Sequence, residues 1–81
     1  MKMPRDMSGN DMVKRLCKSW GYSVVHCVGS HVVLQTETPS RQRIVVPNHP
    51  VLKIGTLNNI LRSVATHKQT VRELILAEKE V

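Results

Sequence analysis

The 81-residue chain has no phenylalanine, one tryptophan and one tyrosine, so aromatic residues make up only 2% of it. Readers of single-stranded nucleic acid stack bases on aromatic platforms, and Trp20 and Tyr22 are too few to build one. This argues against an RRM or OB-type reader. No run approaches the roughly 18 consecutive apolar residues of a membrane span. The opening Met1-Lys2-Met3-Pro4-Arg5-Asp6 lacks the apolar stretch and cleavage site of a secretory signal. A cytoplasmic protein with no membrane partner is expected, and Cys17 and Cys27 are then expected as free thiols. There is no Gly-rich phosphate loop, no HExxH and no paired CxxC. His26, Cys27, His31 and His49 fit no standard zinc spacing, and neighbouring His26 and Cys27 point to opposite faces of a strand. No metal and no cofactor is expected.

Acidic residues are scarce as well, six against twelve Lys and Arg, for a net charge of +6. The imbalance is uneven. Residues 1–72 hold eleven basic and three acidic side chains, whereas 73–81 hold one basic and three acidic. A body this basic attracts a polyanion, with counterion release supplying affinity. A solvated, solubilising surface gives the same count, so charge alone leaves nucleic-acid binding open.

The length supports one domain, with residues 1–7 expected as a disordered tail and 8–78 as the domain. Ser8-Gly9-Asn10-Asp11 is a capping box before an apolar-periodic run, Met12, Val13, Leu16, Cys17 and Trp20. That stripe leaves Lys14, Arg15 and Lys18 on the opposite side of a helix, which Gly21 ends. β-branched runs follow at 22–27, 31–36 and 43–46, separated by Gly29-Ser30 and Pro39-Ser40, predicting three strands in two hairpins. Alternation puts Val32, Leu34 and Thr36 on one face and His31, Val33 and Gln35 on the other; Ile44 and Val46 oppose Arg43 and Val45 in the same way. After a loop at 47–55, Thr56 is the expected N-cap of a second helix carrying Leu57, Ile60, Leu61 and Val64. Thr70 with Glu73 is a second capping box, opening a short third helix with Val71, Leu74 and Ile75; the end carrying Glu78 and Glu80 is expected to fray. The order α-β-β-β-α-α gives an α+β two-layer sandwich with one bare sheet face.

His31 is the foremost candidate for chemistry. It follows the Gly29-Ser30 turn, opens the second strand on the bare face, and is expected beside Arg43. Imidazole can take a proton from one oxygen and give it to another near neutral pH. A solvent-exposed strand histidine without a role has the same pattern. His49, in a Pro-flanked loop, shares that ambiguity, and His26 and His67 read as surface residues.

The ordered set Gly29-Ser30-His31-Val32-Val33-Leu34, Arg43-Ile44-Val45-Val46-Pro47 with His49, and Gly55-Thr56-Leu57 with Ile60-Leu61-Arg62 resembles the HicA (YcfA-like) toxin family. The likeness covers about residues 8–76. It implies a double-stranded-RNA-binding-like fold and a metal-independent endoribonuclease that cleaves mRNA, the toxin of a toxin–antitoxin system paired with a HicB-type antitoxin. It also implies that His31 is the catalytic histidine and that His49 holds a recurrent motif position. Ser30, Arg43, His49, Lys14 and Lys18 are the expected RNA contacts. Leu57-Asn58-Asn59 stands where the family often has basic residues, and Leu34 where many members carry an aromatic. The rival reading is a non-catalytic RNA-binding module on the same fold, which needs a basic cluster at the start of the second helix; Lys53 is the only cation near it. A pure interaction protein with an acidic partner is a third.

Overall fold

The capping box forms as the sequence predicts. Asp11 N–H donates to the Ser8 hydroxyl at 3.0 Å, and Ser8 N–H donates to the Asp11 carboxylate at 3.2 Å. From this cap, in a computed structural model that describes residues 7–76, helix α1 runs over Gly9–Ser19. Met12 and Leu16 are fully buried, and Val13, Cys17 and Trp20 pack half-buried beside them. Gly21, at φ 76, turns the chain out of the helix.

Strands β1 (Ser23–Val28), β2 (His31–Thr36) and β3 (Gln42–Pro47) form one antiparallel sheet in the order β1-β2-β3. The first strand starts one residue later than the sequence reading because Tyr22 is withdrawn into the core, where its hydroxyl donates to Gln42 Oε1 at 2.5 Å. Pairs Val32↔Val46 and Leu34↔Ile44 put the expected apolar set on one face. Helices α1 and α2 (Ile54–Lys68) cover that face, closing it with Leu57, Leu61 and Val64. The other face carries no helix among the described residues. β1 is an edge strand, exposed at every position, and its register slips between Val24 and His26.

Two helix boundaries differ from the sequence reading. Helix α2 begins at Ile54, with Lys53 rather than Thr56 at the N-cap and no side-chain cap. Tertiary anchoring substitutes for the missing cap: Leu52 is buried, its N–H donates to the Met7 carbonyl at 2.8 Å, and Leu57 N–H then reaches Lys53 O at 2.9 Å. Met7, which the sequence reading assigned to the tail, thus packs against the core. At the other end Gln69 takes the left-handed conformation at φ 56, and Thr70 N–H closes onto Ala65 O at 2.9 Å. Thr70 therefore finishes α2 before α3 (Arg72–Leu76) begins. Of the apolar set expected there, Ile75 is buried, while Val71 and Leu74 are exposed. Arg15 Nη1 donates to the carbonyls of Ile75 at 3.2 Å and Leu76 at 2.7 Å, pinning α3 to α1. The expectations for residues 1–6, for the fraying end with Glu78 and Glu80, and for a domain limit at 78 lie outside the described residues.

The result is the expected α+β two-layer sandwich, with the double-stranded-RNA-binding-like order α-β-β-β-α and a short added helix.

Candidate functional site

The uncovered sheet face consists of three rows across the strands. Nearest the first hairpin turn lie Val28, His31 and Pro47; in the middle, His26, Val33 and Val45; at the far end, Ser23, Gln35 and Arg43. His31 is exposed at the head of β2. A two-residue turn holds it there, with Gly29 at φ 55 supplying the positive φ that a type II′ hairpin needs at its first central position. A side chain at Gly29 would meet nothing within 4 Å, so the conformation and not crowding calls for glycine.

The loop leaving β3 folds back onto this turn. Asn48 N–H donates to Ser30 O at 2.5 Å, and Gly9 N–H donates to His49 O at 2.9 Å. Backbone bonds thereby gather the turn that carries His31, the loop that carries His49 and the first residue of α1 at one corner of the molecule. Gly9 permits that approach: a Cβ there would stand 1.9 Å from Pro47 O. The Ser8 backbone and hydroxyl, which cap the same helix end, hold the Asp11 carboxyl below its usual range. His49 and Ser30 are exposed, like His31.

Arg43 shares the face with His31 but not the place. His31 pairs with Pro47 and Arg43 with Gln35, so they lie four residues apart along the sheet, about 13 Å at strand rise. Arg43 Nε donates to Gln35 Oε1 at 2.6 Å, which fixes the guanidinium at the far row. The expectation of Arg43 beside His31 is corrected accordingly. Lys14 and Lys18 are exposed on α1, in the helix layer rather than on the open face. The site the sequence assembled from six residues is therefore a corner with Ser30, His31 and His49, an arginine at the far end of the sheet, and two lysines on the other layer.

His26, read from the sequence as a surface residue, is exposed on β1. It lies in the middle row, one row from His31 and one from Arg43. The two-residue turn at Gly29-Ser30 makes the pairing symmetric about it, which sets His26 opposite Val33.

None of the nine residues in these rows is acidic. Glu37, just beyond the far end of β2, accepts from Gln35 Nε2 and, at 3.2 Å, from Arg41 Nε; these bonds hold its carboxyl below the usual range. Burial pushes the Cys17 thiol up, away from the reactive thiolate. Among the described residues, no group of three His, Cys, Asp or Glu could hold a metal ion. No helix among them is long and apolar enough to cross a membrane.

The family model for the HicA toxin of bacterial toxin-antitoxin matches residues 9–65. The chain belongs to the HicA toxin family. The match runs from the first residue of α1 through the Gly29-Ser30-His31 turn and the His49 loop to the start of the last turn of α2, so the whole corner lies inside it. No curated protein and no solved structure matches the chain. As a HicA toxin, the protein is the toxin of a toxin–antitoxin system and has an antitoxin as its partner. Helix α3 lies beyond the matched stretch.

Proposed function

We propose that this HicA toxin is a cytoplasmic endoribonuclease that cleaves mRNA without a metal, with His31 as its acid/base group, and that a HicB-type antitoxin holds it in check. The observation that carries this reading is the placement of His31: exposed on an open sheet face, at the head of a strand whose turn is fastened by Asn48 and whose neighbouring loop is fastened by Gly9. A proton-transfer group works best when its backbone is held and its ring is free to meet substrate.

The chemistry follows from the substrate. His31 takes the proton of a ribose 2′-hydroxyl, and the oxygen attacks the adjacent phosphorus. The products are a 2′,3′-cyclic phosphate and a 5′-hydroxyl. DNA lacks the nucleophile and is left uncut. Imidazole supplies the proton transfer itself, so the reaction runs in EDTA. RNA lies along the open face between the Ser30–His49 corner and Arg43. Beyond the corner the strand passes along α1, where Lys14 in the middle and Lys18 in the last turn add phosphate contacts from the helix layer. The non-catalytic alternative is disfavoured by the start of α2, where the chain from Lys53 to Asn59 carries one cation, the Lys53 cap, and where Arg72 from α3 is engaged with Asn58 Oδ1.

The test is incubation of the protein with end-labelled mRNA in excess EDTA. Wild-type cleavage to cyclic-phosphate ends, lost in His31→Ala, is the expected result; bound but intact RNA with both proteins would overturn it in favour of a binding module.

A further inference from the structure

The reaction just described gives His31 one proton to move and leaves the second without a carrier. In-line displacement sets the attacking O2′ and the departing O5′ on opposite sides of the phosphorus, so a single imidazole at one side does not reach both oxygens. The strand register supplies a second imidazole. β1 pairs His26 with Val33 and Val28 with His31, which puts His26 and His31 on the same face in adjacent rows, across the hairpin diagonal. Diagonal neighbours of an antiparallel pair lie about 7–8 Å apart, and somewhat less at Cβ. That spacing leaves room for a phosphodiester between the rings. Both histidines are exposed, and Val33 and Val45 form the apolar floor beside His26.

The surroundings fit the task. His26, His31 and Arg43 are the ionisable side chains of the three rows, with no carboxylate among them to compete for a proton or repel phosphate. The nearest acid along β2, Glu37, is engaged with Gln35 and Arg41 beyond the end of the strand. Cys27, next to His26, is in register with Val32 and Val46 and so faces the helix layer.

We infer that His26 is a second catalytic residue, the general acid that protonates the leaving 5′-oxygen; this rests on the endoribonuclease reading above. O2′ forms its bond to phosphorus as the P–O5′ bond breaks, with the electron pair going to O5′. The 2′ proton passes to His31, and the imidazolium of His26 gives its proton to O5′. The cyclic phosphate keeps one negative charge, and the two histidines then exchange their protons with solvent. Cleavage needs one ring neutral and the other protonated, so the rate is bell-shaped in pH.

The experiment compares single-turnover cleavage, in EDTA and across pH, of an RNA oligonucleotide and of the same oligonucleotide with a 5′-bridging sulfur, a leaving group that departs without a proton. Wild type, His26→Ala, His26→Lys and His31→Ala are measured, with circular dichroism as the fold control. The expected result is that His26→Ala slows natural RNA by about 10²-fold or more, loses the alkaline limb of the profile, and recovers towards the wild-type rate on the sulfur substrate. His31→Ala stays slow on both. Wild-type cleavage that His26→Ala leaves unchanged, or slows equally on both substrates, overturns the inference alone. So does His26→Lys cleaving at the wild-type rate with an unaltered profile, which would mean that charge suffices. A wild type that cleaves neither substrate overturns the ribonuclease reading and the inference with it.

Discussion

The backbone N–H of Gly9 donates to the His49 carbonyl at 2.9 Å, fastening the loop after β3 to the first turn of α1. The contact is possible only without a side chain, since a Cβ at Gly9 would lie 1.9 Å from Pro47 O and 2.9 Å from Asn48 Cα. Both of those atoms belong to backbone, which yields less readily than a flexible side chain. Gly9→Ala is therefore expected to lower stability by about 1–3 kcal/mol, the usual cost of overpacking, and to reduce cleavage further by displacing the Asn48 contact with Ser30. Urea unfolding measures the first effect and cleavage under fully folded conditions the second. A variant as stable as wild type would show that the corner can open at no cost.

Tyr22 predicts a loss of stability in alkali. The residue is 2% exposed, and burial pushes its hydroxyl up to about 12 from an ordinary value of 10. Below pH 10 the phenol is neutral in both the folded and unfolded states, and its contribution is complete. Between about pH 10 and 12 only the unfolded chain loses the proton, so stability falls as pH rises, by roughly 2–3 kcal/mol over the window. Tyr22→Phe should flatten that limb in a pH series of thermal melts, with a smaller loss near neutrality from the hydrogen bond to Gln42. Lys68, whose ammonium sits 5.0 Å from the Tyr22 ring centroid, is pushed down by desolvation, and the Tyr22→Phe difference separates the phenol from it.

Gln69 holds a left-handed conformation, φ 56, in which a β-carbon is strained, while its N–H closes α2 onto Thr66 O at 3.4 Å. The backbone supplies the bond and the side chain adds the strain. Gln69→Gly is expected to raise stability by up to about 1 kcal/mol, the left-handed strain relieved being partly offset by the freedom glycine gains when unfolded. An unchanged or lowered melting temperature would show that the Gln69 side chain compensates for the strain.

How much of this was legible in the sequence depends on which interactions set each feature. Local chemistry was readable: the Ser8–Asp11 box, the Gly29-Ser30 turn and the alternation of β2 all appear where the residues place them. Features set by distant contacts were not. The start of α2 depends on Leu52 reaching Met7, and the tolerance at Gly9 depends on Pro47, neither of which a spacing rule reports. The distance between His31 and Arg43 depends on the β2–β3 register, which the five residues between Thr36 and Gln42 could have set in several ways. The placement of His26 is a different case, because the two-residue turn already fixed its partner, Val33; its surface exposure was read from the sequence, and its row on the open face was legible from the same turn.

The most direct test of the central claim is the rate of mRNA cleavage in excess EDTA by wild type and by His31→Ala. Because His31 is exposed at a turn held by backbone bonds, the substitution should leave the circular dichroism spectrum and the melting temperature unchanged. The account predicts that cleavage falls by about 10²- to 10⁴-fold, with 2′,3′-cyclic phosphate ends in the wild-type products. A folded His31→Ala protein that cleaves RNA at the wild-type rate would contradict it.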